Sequence, residues 1–330
     1  MTGLSTRIWT LFSAGAVASM LMTGSAMAEF PERKITLVVP WPAGTTADIA
    51  ARVLGKMASA DLGQKVIVQN MPGGSGTVGT LHVKNAPADG YTLLNNWVAP
   101  HVVVPLFNPK VGYNIDDFEP VVGTLRLPFT ITVAASHPAN SLTEFAAWAK
   151  AQKRQINIST CSALSVPRMV VEETLRKAEI TNYNPVAYEG CMPDAMKDLL
   201  AGSLDAATGV IAATKVFGKK VKHLAVMSDN REPLAPDVLS AKEQGIDIGW
   251  GISGQGWAGL VVAKGTPQDR IGKLVSAFDK WAKSEEYRDR LAKLKLSSNY
   301  MPPDSFKALW YKSKVKLTPS VNRLLMAKKN

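Results

Sequence analysis

From residue 35 onward, short β-rich apolar runs alternate with helix-period segments, which restricts the chain to an α/β layer architecture. Runs at 35–39, 66–68 and 91–94 are separated by helical patterns at 46–62 and 75–84. This βαβαβ series predicts parallel strands with right-handed crossovers. A second series begins with a strand at 131–134. It continues through a helix at 142–151, a strand at 156–159, a helix at 165–177, a strand at 185–187, a helix at 193–200 and a strand at 223–227. A strand at 259–262 and helices at 267–283 and 284–294 follow. Little more than 113–123 joins the two series, so two abutting domains with a cleft between them are expected. Small ligands bind in such clefts, at the carboxyl ends of strands.

The 330 residues are 46% hydrophobic and 20% charged, which excludes a disordered or fibrous chain and fits two domains. Arg7 precedes an apolar run over 8–22, and Ser25-Ala26-Met27-Ala28 presents small residues at the positions a signal peptidase reads. The segment 1–28 therefore reads as a secretory signal cleaved after Ala28. A membrane anchor needs about 20 uninterrupted apolar residues, and Thr10, Ser13, Ser19 and Thr23 interrupt this one. Net charge is +11, and +10 without Arg7. The lysines of the C-terminal part, among them Lys280, Lys283, Lys307, Lys312, Lys314 and Lys316, are interspersed with acids at helical spacing and read as a solvated face, not a nucleic-acid site. The four histidines show no metal-ligand spacing and read as packing or surface residues.

Chemistry is expected in the strand-to-helix loops. In Pro42-Ala43-Gly44-Thr45-Thr46, Thr45-x-x-Asp48 reads as a capping box with Asp48 as helix cap. Free amides at the helix start, with the Thr45 and Thr46 hydroxyls, form a candidate anion site. The second loop contains a literal G-x-G-x-x-G at Gly74, Gly76 and Gly79. Met71-Pro72-Gly73 separates it from the strand, it lies in the second βα unit, and Asn95 and Asn96 stand where an acid is expected, all of which weakens the dinucleotide-binding reading. Two converging glycine-rich helix starts are the better reading.

These residues resemble the Bug-type receptors of tripartite tricarboxylate transporters. The match runs through Phe30-Pro31-x-x-Lys34-Ile35, Trp41-Pro42-x-Gly44, Asp48-Ile49-x-Ala51-Arg52, Leu62-Gly63-Gln64 and Asp89-Gly90-Tyr91. It continues through Tyr188-x-Gly190, Asp198-Leu199-Leu200-Ala201-Gly202 and Gly265-Thr266-Pro267, covering essentially the whole mature chain. The resemblance implies a two-lobed α/β fold of the type II periplasmic-binding-protein class, with lobe 1 at 29–125 plus 229–330 and lobe 2 at 126–228. It implies a monomeric periplasmic receptor, not an enzyme, without cofactor or metal. Such a receptor captures a small organic acid and passes it to membrane permease subunits.

Carried over, the ligand set is Pro42, Ala43, Gly44, Thr45 and Thr46; Gly73, Gly74, Ser75 and Gly76; and Thr160, Ser162, Ser165, Tyr188 and Gly190 from lobe 2. Neutral amides and hydroxyls bind a carboxylate reversibly without a buried countercharge that is costly when the site is empty. Thr45, Ser162, Leu164, Arg168 and Glu189 depart from the family pattern, so the solute stays open. Cys161 and Cys191 fall in two lobe 2 loops that follow neighbouring strand positions, and export makes a disulfide between them an expectation. The rival classes are a secreted enzyme using Cys161 or Ser162, for which no general base is assignable, and a sensory or interaction receptor.

Overall fold

The computed structural model describes residues 29–161, 165–188, 192–250, 256–294 and 296–327, with backbone alone at 161, 192, 193, 212, 213, 215 and 327. The expected signal segment, both cysteine side chains, Ser162 and Gly190 lie outside the described residues.

The first sheet grows around β1 (Ile35–Val39), which pairs in parallel with β2 (Val66–Asn70) on one side and β3 (Thr92–Trp97) on the other. Helix α1 (Thr46–Leu62) forms the first crossover and ends at Gly63 in the left-handed conformation. The second crossover is shorter than the sequence pattern predicts. A 3₁₀ turn occupies Gly74–Gly76, and α2 (Thr77–Asn85) starts only after it. After β3 come a π-helical turn (Ala99–Val103), the four-residue α3 (Val104–Phe107) and β4 (Phe118–Leu127).

Strand β4 corrects the reading of 113–123 as a connection. It is ten residues long and buried along most of its length, so it shows no alternating pattern, and Pro120 and Gly123 read as breakers. Pro120 is tolerated because it pairs with Val261 at a register shift.

The second sheet follows directly: β5 (Phe129–Ala134), α4 (Leu142–Ala151), β6 (Ile156–Cys161), α5 (Val166–Lys177), β7 (Tyr183–Tyr188), α6 (Met192–Leu200), β8 (Ala207–Val210), the short α7 (Ile211–Thr214) and β9 (Val221–Val226). Strand β5 lies between β8 and β9 and is antiparallel to both, while β6 pairs in parallel with β7. A bridge from Ile158 to Ala206 joins the two groups. The chain then returns to the first sheet as β10 (Gly256–Ala263), inserted antiparallel between β3 and β4, and α8 (Gln268–Ala282), α9 (Glu285–Lys293) and β11 (Ser297–Met301) follow. The first sheet therefore reads β11-β4-β10-β3-β1-β2. This is the two-lobed type II α/β arrangement.

Helix α10 (Pro303–Ala327), for which the sequence reading provides no element, spans the two sheets. Its first half packs Phe306 between Trp310 and Trp257, and the Trp257 indole N–H donates to Ser313 Oγ at 2.9 Å. Its second half reaches α5, where Arg323 Nη2 lies 2.5 Å from the buried Glu173. One apolar cluster runs from Val38 and Leu94 through Trp257 and Trp310 to Ile131 and Ile156. A second, between α1, α8 and α9, covers the other face of the first sheet. At the crossing point the fully buried Glu232 carboxylate lies 2.9 Å from Arg126, the penultimate residue of β4.

His101 is one of the packing histidines and belongs wholly to the interior. It is fully buried, with ring centroids 4.4 Å from Trp310, 5.4 Å from Phe118 and 6.1 Å from Trp257. Neither ring nitrogen has a partner among the described residues, and burial pushes its pKa down to about 3. The unfolded imidazole titrates near 6.5, so acidification favours the unfolded chain throughout the interval between these values. Urea unfolding of His101→Phe is expected to lack this slope, improving by about 2 kcal/mol relative to wild type between pH 7 and pH 5. Equal pH dependence of the two proteins would refute the assignment.

Candidate functional site

Parallel strands deliver their carboxyl ends to one edge of a sheet, and the loops after β1 and β2 meet there. Met71 N–H donates to Val39 C=O at 2.8 Å, and Asn70 Nδ2 donates to Trp41 C=O at 3.0 Å. Pro42, Ala43 and Gly44 are exposed in the first loop, with Thr45 and Thr46 half-buried. Thr45 caps α1: its Oγ1 donates to Pro42 C=O at 2.8 Å and accepts from Asp48 N–H at 3.5 Å. The Thr45 hydroxyl is thus occupied by the loop itself. Thr46 N–H and Ala47 N–H, in the first helical turn, have no partner among the described residues.

Asp48 does more than close a capping box. Its carboxylate accepts Gly44 N–H at 2.9 Å, where a capping box would accept Thr45 N–H, and this removes the Gly44 amide from the expected anion site. It also accepts Asn70 Nδ2 at 2.9 Å and Arg52 Nε at 3.0 Å, while Arg52 Nη2 reaches Asn70 Oδ1 at 3.0 Å. Burial would raise its pKa, but hydrogen bonds from Arg52, Gly44 and Asn70, with the Arg52 charge, outweigh that and hold it below the ordinary carboxylate range. From the next strand, Asn95 Nδ2 donates to Ala47 C=O at 2.9 Å and fixes the first turn of α1. The sequence analysis assigned no role to Asn70 or Arg52; the i, i+4 spacing of Asp48 and Arg52 is the signal that points to the pair.

In the second loop Gly73 and Gly74 are exposed and Ser75 stands in the left-handed region at φ 56°. Gly76 N–H is taken by Gly73 C=O at 3.0 Å. Its amide, like that of Gly44, is consumed within the loop. Gly76 has φ 92°, and a Cβ there would come within 3.0 Å of Pro100; at Gly79 a Cβ would meet Pro40 at 3.0 Å and the Met71 carbonyl at 3.1 Å. The glycine fingerprint is therefore accounted for by close packing of α2 on the β1 loop.

In the second lobe, Thr160 and Tyr188 lie at the carboxyl ends of neighbouring strands, in a register that pairs Thr160 with Ala187. Thr160 Oγ1 is buried without a partner among the described residues, and so is Thr208 Oγ1 on β8. Ser165 caps α5, accepting Arg168 N–H at 3.4 Å. Tyr188 donates its hydroxyl to Asp198 at 2.6 Å, and burial together with that carboxylate pushes its pKa up to about 12. Arg168 pairs with Glu172 at 2.7 Å. No group of three or more metal-ligating side chains occurs among the described residues. The arrangement offers neutral donors to an anion.

The chain resembles known proteins over most of its length. The family model described as tripartite tricarboxylate transporter family receptor matches residues 50–316. The UPF0065 protein in the tcbD-tcbE intergenic region of Pseudomonas sp. (strain P51) is 30% identical over 80% of this chain and 79% of its own. The crystal structure of a TctC solute binding protein from Polaromonas superimposes with a TM-score of 0.75 at 28% identity, covering 89% of this chain and all of that one. MatC from Rhodopseudomonas palustris, solved with bound malate, gives a TM-score of 0.71 at 26% identity over 88% of this chain and all of its own.

Replacing Asp48 by Asn removes the charge that orders both loops. We expect Asp48→Asn to lose about 1–3 kcal/mol of stability at pH 7 by urea unfolding. A lowered native pKa contributes stability above the ordinary carboxylate value near 4, lost as pH falls through the lower native one, so the deficit should shrink at pH 3. An undiminished deficit there would show that the charge is not responsible.

Proposed function

This chain belongs to the tripartite tricarboxylate transporter family of receptors, and from that membership we propose that it captures a small carboxylate-bearing solute in the periplasm and presents it to the membrane permease of a tripartite transporter. It is a solute-binding receptor and not an enzyme; the family and its structural neighbours bind solutes. The observation that supports the solute class is the pair of adjoining loops after β1 and β2, where the half-buried Thr46 has a main-chain amide without a partner among the described residues. A carboxylate accepts from such donors without requiring a fixed positive charge. The malate in MatC supports this class.

In this reading the mature receptor is a monomer that starts at Glu29. Its lobes are 29–125 plus 229–330 and 126–228, and it closes about the two crossings. Ala43, Thr46, Gly73, Gly74 and Ser75 receive the carboxylate, and Pro42, which has no N–H to donate, shapes the loop. The amides of Gly44 and Gly76 and the hydroxyl of Thr45 hold the loops in shape. Thr160, Ser162, Ser165, Tyr188 and Gly190 form the opposing wall, with a Cys161–Cys191 disulfide at its rim.

The test is a thermal-shift titration of the chain from Glu29 with malate and other mono-, di- and tricarboxylates. Ligand at a hundredfold excess over Kd is expected to stabilise it by about 2.7 kcal/mol, and Thr46→Ala to weaken binding about fivefold, the loss of one neutral hydrogen bond. Absence of a concentration-dependent shift with every acid would overturn the solute class. The crossing is tested separately. Arg126→Met leaves the Glu232 carboxylate buried and unpaired, at an expected cost of about 3–5 kcal/mol at pH 7. Burial raises the Glu232 pKa against the pull of Arg126. Losing Arg126 raises it further, so the cost should fall as the pH is lowered and the carboxyl protonates. A pH-independent cost would contradict this.

A further inference from the structure

Strand β2 forms one edge of the six-stranded sheet. Lys65 C=O accepts Ile35 N–H at 2.9 Å and Met71 N–H donates to Val39 C=O at 2.8 Å. Since main-chain groups alternate sides along a strand, residues 65, 67, 69 and 71 are turned to β1, and Val66, Val68 and Asn70 are turned outward. Val66 N–H is taken by Ser59 Oγ at 3.0 Å. Val66 C=O and the N–H and C=O of both Val68 and Asn70 have no main-chain partner among the described residues.

An open groove of about 430 Å³ runs along this edge between β2 and α1, lined by Arg52, Lys56, Ser59, Lys65 and the main chain of Ile67, with the side chains of Val66 and Val68 as its apolar floor. Arg52, Lys56 and Ser59 project from one face of α1 by their spacing. Arg52 is neutralised by Asp48 at 2.8 Å. Lys56 and Lys65 are exposed and have no acidic partner among the described residues. Ile67, 43% exposed, stands on the opposite face of the strand. Lysines that only blunt an edge need no apolar floor between them. An apolar floor, unpaired main-chain groups and two uncompensated cations together suit an incoming strand of opposite charge.

We propose that β2 is a docking edge at which an extended acidic segment of a partner protein adds as a further strand. Its backbone pairs with the Val66 carbonyl and with both main-chain groups of Val68 and Asn70, and its carboxylates meet Lys56 and Lys65. Strand addition of this kind draws affinity from the main chain and specificity from alternate side chains. The inference goes beyond solute capture and does not depend on which acid is bound.

The probe is a synthetic eight-residue peptide alternating Glu with Val and Thr, titrated into isotope-labelled chain from Glu29 and followed by amide NMR. The expected result is movement of the Val66–Asn70 amide signals and slowed exchange at Val68 N–H. Binding should weaken at least tenfold in Lys56→Glu/Lys65→Glu, and protection should vanish in Val68→Pro, which removes the outward N–H without touching a bond to β1. The charge-reversed pair carries the test if the proline variant fails to fold. Solute-induced thermal shifts should survive in the lysine variants, which separates failure of this proposal from failure of the solute reading. Equal binding of a Gln-for-Glu peptide, undiminished binding to Val68→Pro, or a response only to phosphatidylglycerol vesicles would each overturn the proposal, the last in favour of a membrane surface.

Discussion

Taking a carboxylate out of water is unfavourable unless hydrogen bonds replace its hydration, and Asp48 receives them from three separate stretches of chain: the Gly44 amide, Arg52 on α1 and Asn70 at the end of β2. Because Asn70 also donates to the Trp41 carbonyl, one buried charge sets the path of the first loop and its distance from the second. The second loop depends on this placement. Gly76 and Gly79 bring α2 against Pro40 and Pro100, an approach that has meaning only if the β1 loop holds still. The open amides that remain are what this internal bonding leaves over.

A solute-binding receptor has to stay folded when its site is empty, so its stability has to come from elsewhere in the fold. Here it falls on elements that bridge the two sheets. The apolar cluster continues across both, α10 leans its aromatic half on the first sheet and its basic end on α5, and Arg126 meets Glu232 where the chain returns. A buried ion pair is weak support for net stability, since desolvation opposes the attraction. Its position at the crossing instead specifies how the return segment is seated on β4.

Much of the fold was legible because its signals are local. The span of α1 follows from the Thr45 cap, apolar spacing and Gly63, and the structure reproduces it over Thr46–Leu62. Helix α4 was legible for the same reason, with Ser141 as its cap. Strand β4 was not, because a strand buried on both faces has no alternation and Pro120 is tolerated only at a register shift against β10, more than 130 residues away. Helix α10 was missed because lysines and apolar residues intermingle along it, and its buried stripe is defined by what it bridges.

The candidate site divides along the same line. Its loops were legible, since strand ends, glycines and caps are written in neighbouring residues. How the loops are braced was not, because that is settled by partners distant in sequence: Asn70 for Asp48 and the Trp41 carbonyl, Asn95 for the first turn of α1. The sequence by itself determined the α/β order and the strand-to-helix loops of the candidate site, because periodicity and capping act over a few residues, and its motifs carried the family resemblance. Only the tertiary structure decided how Asp48 is braced by Asn70 and what covers His101, because these contacts join residues brought together only by the completed sheets.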